Sequence, residues 1–404
     1  MQIGIVVAAL KKHKVASALI AFEVALACAV ICNALFLSLE RSRTLNLVSG
    51  LDESRIATVR ISGYDSESSG DLDHRVLAAL REISGVESVG SISGVPFGYP
   101  GLRAGTFRDQ EMQNFGGVVD FYLADQHAFK ALNLDVVAGR APSADEFSEV
   151  AEVVPTNSPV LITEQLADHY WPGQSPIGKT VWAFDTQFTV IGVVRNLAIS
   201  QPGGGEALGT DWSIVVPSLP GPNFSGSYIV RSDASSMSSV VAQFATVVAA
   251  VAPDVVFDEE WSRSIIELRE RYFRNSSVMI KALFVVIISI LGATALGIVG
   301  LASYWVDARR RQIGIRRALG ARKRDILRYF QIENFLIVLA GGILGCLLAY
   351  AFNIVLMGYF EVSRLPLHYG PIGALVLLIL GQLAVLGPAL RASSISPVAA
   401  IRAI

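Results

Sequence analysis

The stretch ARRRQIGIRRALGARKRDILRYFQIENFLIVLAGGILGCLLAY, residues 308–350, joins a dense basic block to an apolar run that is spaced by glycines. Between Arg309 and Arg328 it holds nine Lys/Arg and a single acid, Asp325. An excess of Lys and Arg beside a membrane span marks the cytoplasmic side of the membrane. The stretch therefore predicts a membrane span and also the side from which that span starts.

Four apolar runs are long enough to cross a bilayer, which takes about 20 residues. The 404-residue chain is 52% hydrophobic with a mean hydropathy of +0.49, which favours a membrane protein. We predict transmembrane helices at 15–39, 278–306, 335–359 and 370–390. A cleaved signal peptide is the alternative for the first run, but that run is longer than a signal core and further spans follow it.

Charge is distributed unevenly along the chain. Residues 40–274 carry 17 Lys/Arg and 30 Asp/Glu, whereas the remainder carries 16 and 5. Three lysines precede the first run, so we place its start in the cytoplasm and the acidic region 40–277 outside. A multi-pass membrane protein with both termini in the cytoplasm follows, and in a bacterium the outside would be the periplasm or the cell exterior. Its other segments are an amphipathic cytoplasmic segment at 1–14, a basic cytoplasmic segment at 307–334, an outside loop at 360–369 and a cytoplasmic tail at 391–404.

The acidic region has the composition of a globular domain with strands and helices. β-Branched runs predict strands at 56–61, 118–123, 180–184, 188–194, 213–216 and 228–231. Apolar spacing predicts helices at 71–84, 163–170, 235–251 and 261–275, with Asp71 and Ser235 as N-caps. Gly and Pro clusters at 94–105 and 202–209 predict exposed loops. The fold class is a membrane protein with four transmembrane helices and a large α/β (α+β) extracytoplasmic domain of two subdomains.

No catalytic or metal-binding pattern stands out in the sequence. Cys28, Cys32 and Cys346 lie in apolar runs, so the acidic region has no disulfide framework. The octapeptide GQSPIGKT, residues 173–180, matches the phosphate-loop pattern, but a phosphate loop needs a helix after it and strand-like residues follow here. We predict that this octapeptide is a turn between a short helix and a hairpin.

The basic block and its continuation resemble the permease domain of the FtsX/MacB family of ABC transporters. The resemblance rests on RRRQIGIRRALGA at 309–321, on Glu333, on GGILG at 341–345 and on the ending at 391–402. In the acidic region, VAGR at 137–140 and SPIGKT leading to FTVIGV, within 175–193, resemble the family's periplasmic core domain. The resemblance covers nearly the whole chain.

This resemblance implies a permease subunit that relays the motion of a cytoplasmic ATPase to the outer domain, which is called mechanotransmission. It implies a separate ABC ATPase subunit that binds ATP and magnesium, so we expect neither enzyme activity nor a cofactor on this chain. It implies a dimer with a second permease, identical or paralogous. The implied task is export or extracytoplasmic handling of a substrate such as a peptide, an antibiotic or a lipoprotein.

The partners and two alternatives follow from the same resemblance. Membrane lipids are expected partners and nucleic acid is not, while a periplasmic adaptor and an outer-membrane channel are left open. One alternative is an FtsX-like regulator that activates a cell-wall hydrolase without transport. The other is a membrane-anchored receptor with no ATPase.

The basic block itself has two interpretations. Lipid headgroups would hold it at the membrane surface, at about 1 kcal/mol per basic residue. Alternatively, it contacts the ATPase as a coupling segment, which we favour because the interleaved Ile313, Ile315, Ala318, Leu319, Ile326 and Leu327 offer an apolar face that anchoring does not need. The predicted coupling residues are Arg309, Arg310, Arg311, Gly314, Arg316, Arg317, Gly320, Arg322, Lys323, Arg324 and Asp325.

Several residues inside the spans are also singled out. Glu23 lies within the first span, where an acid is a functional hypothesis by default, although a polar neighbour would also accommodate it. Gly341, Gly342 and Gly345 allow helices to approach closely. Glu333 is expected to cap its helix or to pair with the basic block. The polar residues expected to make interhelical hydrogen bonds are Asn33, Asn353 and Gln382.

Overall fold

The computed structural model describes residues 14–65, 69–150, 152–202, 209–360 and 363–394. Its chain divides into two compact units. We call Thr44–Asn275 the polar unit, and Met1–Arg43 together with Ser276–Ile404 the membrane unit. The predicted amphipathic segment at 1–14 and most of the predicted tail at 391–404 lie outside the described residues.

One sheet of the polar unit has four antiparallel strands in the order β12–β1–β11–β2. Helices α2 (Ser69–Arg81) and α5 (Met237–Val251) share one apolar core with it, because both place apolar residues at helical spacing. Leu80 and Phe244 are fully buried in this core. The strands are β1 (Ile56–Ser62), β2 (Val86–Ser91), β11 (Ser227–Ser232) and β12 (Val256–Phe257).

The second sheet of the polar unit closes on itself. Its path runs β4–β3–β8–β9–β7–β10, and β10 pairs in parallel with β4 to complete the ring. Because the sheet is closed, none of these six strands has a free edge. Along the first part of β9, alternate side chains are buried. The ring is formed by β3 (Leu102–Phe107), β4 (Phe115–Ala124), β7 (Pro159–Thr163), β8 (Thr180–Ala183), β9 (Thr186–Val194) and β10 (Ser213–Leu219).

Four short or connecting elements complete the polar unit. Strand β5 (Val136–Gly139) pairs with β9, and β6 (Ser148–Glu149) pairs with β10. Helix α3 (Gln126–Leu132) starts at Asp125, whose carboxylate accepts a hydrogen bond from the Ala128 amide. Helix α4 (Glu164–Tyr170) follows β7.

The membrane unit contains four helices long and apolar enough to span a membrane. Asn33 donates a 3.0 Å hydrogen bond from its amide to the Ala349 carbonyl, and Gln382 donates a 3.5 Å bond to the Gln331 carbonyl. Asn353 accepts a bond from the Leu365 amide. Two of these three polar side chains therefore join neighbouring helices. The helices are α1 (Lys14–Leu45), α6 (Ile265–Ala308), α8 (Lys323–Phe360) and α9 (Tyr369–Ser394), with a short α7 (Arg310–Ala318).

The strand and helix predictions for the polar unit are confirmed in part. All six predicted strands are present, but β2, β3, β5, β6, β7 and β12 were not predicted. The helix expected at 71–84 occupies Ser69–Arg81, so Asp71 lies in its first turn rather than at its N-cap. The N-cap of α5 is Ser236, not Ser235, and the helix expected at 261–275 begins at Ile265.

The predicted exposed loop at 94–105 is confirmed only in part, because residues 94–101 form a loop but residues 94–98 are buried. Val95 and Phe97 are almost fully buried, and β3 already begins at Leu102. The Phe97 ring packs 5.4 Å from that of Phe273, so a long-range aromatic contact outweighs the local Gly and Pro signal. Of the second predicted loop, residues 203–208 lie outside the described part of the chain.

The phosphate-loop look-alike is a turn, as predicted. Residues 173–179 connect α4 to the antiparallel hairpin β8–β9, so no helix follows the lysine. The Gly178 amide donates to the Val190 carbonyl at 2.8 Å. A backbone amide that already donates a hydrogen bond to a neighbouring strand is not available to bind a phosphate.

Candidate functional site

The basic block folds as a short helix, a tight turn and the start of a long helix. Helix α7 ends in a Schellman motif: the Ala321 amide bonds the Arg316 carbonyl, and the Gly320 amide bonds the Arg317 carbonyl. Gly320 has φ of +96°, a left-handed conformation that only glycine adopts without strain. The sequence RALGA therefore forces the chain to reverse between α7 and α8.

The start of α8 is fixed by its own acid. The Asp325 carboxylate accepts a 3.0 Å hydrogen bond from the Arg322 backbone amide. A carboxylate in the first helical turn also interacts favourably with the partial positive charge at a helix N-terminus. Asp325 was predicted as a coupling residue, and the structure gives it a local role in shaping the turn.

An apolar cluster lies beneath the turn. Ile313 of α7 and Ile326 of α8 are about 5% and 4% exposed, and they pack with Phe330 and with Ala389 and Ala392 of α9. Gly314 is also buried. The predicted apolar face is thus divided, because Ile313 and Ile326 pack within the unit whereas Ile315 and Leu319 do not.

Arg309 and Glu333 form a buried ion pair that ties the start of this segment to α8. The Arg309 Nη1 atom lies 3.0 and 2.9 Å from the two Glu333 carboxylate oxygens. Their side chains are only 10% and 2% exposed. Pairing of Glu333 with the basic block, one of its two expected roles, is confirmed. Arg309, predicted as a coupling residue, supports the exposed surface rather than forming part of it.

The rest of the segment presents cations around an apolar tip. Leu319 is 83% exposed and Ile315 is 46% exposed, although both are large apolar residues. Arg316 lies over the Tyr329 ring at 5.2 Å, a contact that the sequence analysis did not anticipate, and Arg317 is half-buried. We call the following set the basic tip, all exposed except Arg317: Arg310, Arg311, Ile315, Arg316, Arg317, Leu319, Gly320, Arg322, Lys323 and Arg324.

The three predicted packing glycines lie at helix contacts. A Cβ on Gly341 would fall 2.6 Å from the Ala21 carbonyl oxygen, and one on Gly345 would overlap the Cys28 Cβ, so both glycines face α1. A Cβ on Gly342 would approach Ala374 of α9 to 3.3 Å. The sequence GGILG therefore places two neighbouring helices close to α8.

Glu23 packs against α6 at a glycine. Its carboxylate oxygens would lie 2.5 and 2.6 Å from a Cβ on Gly297, which means that the acid occupies the space a side chain would fill. Glu23 is half-buried. Within the described ranges, no group of His, Cys, Asp and Glu side chains is arranged to hold a metal ion.

Two family models match the chain. The MacB-like periplasmic core domain matches residues 23–259, and the FtsX-like permease C-terminal domain matches residues 283–397. The class of protein is thus an ABC transporter permease with a large extracytoplasmic domain. The chain belongs to the FtsX/MacB family.

Known relatives match the chain at low identity. The macrolide export ATP-binding/permease protein MacB of Campylobacter fetus is 22% identical over 97% of this chain and 59% of its own length. The protein of the same name from Hahella chejuensis is 27% identical over 57% of this chain and 35% of its own length. The chain spans about one third to three fifths of these relatives.

Two solved structures were also matched. The periplasmic region of MacB from Actinobacillus actinomycetemcomitans covers 57% of this chain at 15% identity, with a TM-score of 0.34 over 97% of that region. The extracellular domain of the noncanonic ABC-type transporter YknZ covers 50% of this chain at 16% identity, with a TM-score of 0.31 over 100% of that domain.

Proposed function

We propose that this chain is the permease subunit of a MacB/FtsX-type ABC transporter whose basic tip receives the motion of a separate cytoplasmic ATPase. ATP and magnesium then belong to the partner subunit. The chain resides in the bacterial inner membrane with both termini in the cytoplasm and the polar unit outside. Its task is export or extracytoplasmic handling of a substrate such as a peptide, an antibiotic or a lipoprotein.

The observation that carries the proposal is an exposed tip on a buried support. Lipid anchoring needs cations near headgroups, but it gives no reason to expose Leu319 beyond the last turn of α7. A partner protein does, because apolar residues ringed by arginines are typical of protein interfaces. The tip also stands on buried contacts, namely the cluster around Ile313 and the Arg309–Glu333 pair. A push on the tip is therefore passed to the helices instead of being absorbed by a loose loop.

The connection of the tip to α6 supports a mechanical relay. Helix α6 runs from Ile265 to Ala308 as a single helix of 44 residues, and Arg309 follows it directly. The Arg309–Glu333 pair then links this junction to α8. A helix transmits axial and rotational displacement along its length because every backbone hydrogen bond lies within it.

The test is affinity purification of the full-length chain from native membranes, with identification of every bound subunit. We expect an ABC ATPase to co-purify with the wild-type chain. The variant Arg316→Glu/Arg317→Glu/Leu319→Asp should insert normally but lose at least about 90% of the bound ATPase, because desolvated charges and an apolar anchor dominate such contacts. The matched control is Arg364→Glu, an exposed arginine in the connection between α8 and α9.

Two results would count against the proposal. Full retention of the ATPase by the triple variant leaves headgroup anchoring as the role of the basic tip. Recovery of a cell-wall hydrolase with no effect of transport substrates on ATP hydrolysis assigns the chain to the regulatory class instead.

A further inference from the structure

An acid lies at the edge of the contact between α1 and α6. Glu23 is 8 residues beyond Val15, where the apolar run starts, which places it about 12 Å deep at ~1.5 Å per residue. A bilayer core is about 30 Å thick, so the carboxyl group lies well inside hydrocarbon. Its oxygens occupy the space beside Gly297, where a Cβ would fall 2.5 and 2.6 Å from them. The acid therefore takes the place of a side chain on α6.

Gly297 lies at the boundary between a packed face and an open face of α6. Ile298 is buried, whereas Ala293 and Gly300 are exposed. Residues three and four apart on a helix are neighbours, so Ala293, Gly297 and Gly300 form one row beside Glu23. A Cβ on Gly300 would meet no atom within 4 Å. The row is thus a shallow depression that is open at the surface of the membrane unit.

The walls of this depression are apolar. On α1, Phe22 is 55% exposed and Leu26 is 46% exposed, and on α6 Leu296 is 74% exposed. One acid is therefore combined with a large apolar surface. We call the following set the acidic notch: Phe22, Glu23, Leu26, Leu296, Gly297 and Gly300.

Glu23 has no counter-charge from its own chain. Within the described residues it forms no hydrogen bond and no ion pair. A second copy in the same orientation offers no cation at this depth either, because Lys281 is 16 residues from Gly297, or about 24 Å along α6. The counter-charge of Glu23 therefore comes from a proton or from a cationic ligand. The stretches of the four long helices that lack Lys and Arg are 15–40, 282–306, 329–360 and 369–390.

We propose that the acidic notch binds the ammonium group of a cationic amphiphile that enters from the bilayer. The ammonium group pairs with the Glu23 carboxylate, and the hydrocarbon chain lies against Phe22, Leu26 and Leu296. An unpaired charge is costly in a medium of low dielectric constant, so the acid selects against anionic and uncharged lipids. This binding goes beyond the relay proposed above and does not depend on an ATPase at the basic tip.

A cationic amphiphile fits the notch better than a proton alone does. Ionisable residues in membrane helices usually face the interior of the bundle or a water-filled cavity. Glu23 is instead partly exposed beside Phe22 and Leu26. A proton would neutralise the carboxyl group, but it gives no reason for an acid at an open apolar surface. An ammonium group with a hydrocarbon chain matches both the acid and the apolar walls.

The experiment is photolabelling of the full-length chain, in phosphatidylcholine nanodiscs, by dodecylamine that carries a diazirine in its hydrocarbon chain. We expect mass spectrometry to find labelling of α1 and α6 that an excess of unlabelled dodecylamine removes. Glu23→Gln should lower this competed labelling at least about tenfold, because a desolvated charge pair loses one partner. The matched control is Asp307→Asn, an exposed acid at the end of α6, which should be labelled like the wild type.

Two further comparisons test charge and position separately. Gly297→Ala keeps the acid but fills the space that its carboxylate occupies, so the competed labelling should fall although Glu23 is present. Dodecanol with the same diazirine should show little competed labelling of the wild type and no change in Glu23→Gln. If Glu23→Gln does not fold, Gly297→Ala and the comparison of amine with alcohol on the wild type decide the outcome.

Three results would overturn the site. Equal competed labelling of the wild type and Glu23→Gln leaves a proton as the counter-charge of the acid. Equal competed labelling by the amine and the alcohol removes the role of charge. Absence of competed labelling in the wild type means that the notch is closed to lipid, as it is when a second copy of the chain covers it. None of these outcomes depends on the ATPase, so the basic tip is tested separately.

Discussion

Two buried carboxylates, one in each unit, are paired with arginines in different ways. In the polar unit, Asp120 is 1% exposed and accepts from the Arg103 Nε at 2.6 Å. The Ser200 amide and hydroxyl also donate to Asp120, at 2.7 and 2.6 Å. In the membrane unit, a single nitrogen of Arg309 serves both Glu333 oxygens, while its buried Nη2 has no hydrogen-bond partner among the residues that the structure describes.

The difference separates a fixed part of the molecule from one that is easier to rearrange. A buried charge is stable when each of its lone pairs or protons forms a hydrogen bond. In a partly bonded pair, the interactions offset less of the free-energy cost of removing the charges from water. Asp120 joins two strands of a closed ring and behaves as a structural anchor. The Arg309–Glu333 pair lies directly under the basic tip, and we expect it to adopt a second arrangement at lower cost than the Arg103–Asp120 pair.

A third buried carboxylate extends the comparison. Asp211 is 4% exposed and forms no ion pair within the described residues, and its Oδ1 atom accepts from the Leu197 amide at 2.6 Å. Burial raises the pKa of Asp211 to about 7. An arginine partner is what Asp120 has and Asp211 lacks, so the two acids should respond differently to mutation and to pH.

The largest effect is expected from Asp120→Ala. It leaves the buried amide and hydroxyl of Ser200 without their acceptor, while the exposed Arg103 is solvated, so we expect a loss of about 3 kcal/mol in the free energy of unfolding of the polar unit. Tryptophan fluorescence during urea unfolding of the full-length chain measures it, because four of the five tryptophans lie in this unit. The control is Asp135→Ala, whose pair with Arg195 is exposed and should contribute less than about 1 kcal/mol. Equal losses of unfolding free energy in Asp120→Ala and Asp135→Ala would show that the buried carboxylate contributes no more than the exposed one.

The second effect is a pH dependence carried by Asp211. The folded state holds a proton that the unfolded chain, with a pKa near 3.9, has already released, so stability falls as pH rises from about 4 to about 7. Between pH 5 and pH 7 this amounts to about 2 kcal/mol, because the slope of about 1.4 kcal/mol per pH unit flattens as pH approaches the folded pKa. Burial also raises the pKa values of Asp73 and Asp125, in the same direction.

The measurement is the unfolding free energy of the wild-type chain and of Asp211→Asn at several pH values. The unfolding free energy of Asp211→Asn should change less between pH 5 and pH 7 than that of the wild type, since an amide does not titrate. Glu146, whose pKa is lowered to about 2 by its hydrogen bonds with Arg140, acts in the opposite sense but only below about pH 5. A wild-type slope that survives unchanged in Asp211→Asn would assign the pH dependence to other groups.

The smallest of these effects concerns the Arg309–Glu333 pair. Glu333→Leu or Arg309→Met should each lower the thermal stability of the membrane unit, by about 2 kcal/mol, because one buried charge loses its partner. The double variant should recover part of that loss, since apolar residues of similar size often replace a buried pair without penalty. The thermal stability of each variant is measured as the fraction of the protein that stays monodisperse in detergent after heating. Additive losses in the double variant would mean that the pair does not act as a unit.

Much of the fold was predictable from local pattern. Apolar runs predicted all four long helices, since a span must be continuous and about 20 residues long. The basic block was predicted from charge density, but the reversal of the chain at Gly320 was not. The strands that were missed, such as β2 and β7, are short and bounded by weak turn signals, so their pairing partners define them. Phe97 was assigned to a loop because the aromatic residues that bury it are distant in sequence.

The sequence by itself determined the two-part plan of this protein: a set of apolar helices with a basic segment, and a long acidic region with strands and helices. Composition and periodicity suffice for this because they reflect the solvent that each segment meets. Only the tertiary structure decided which residues of the basic block face outwards and that Arg309 is buried on Glu333. Such pairings depend on residues far apart in the chain, and no local pattern encodes them.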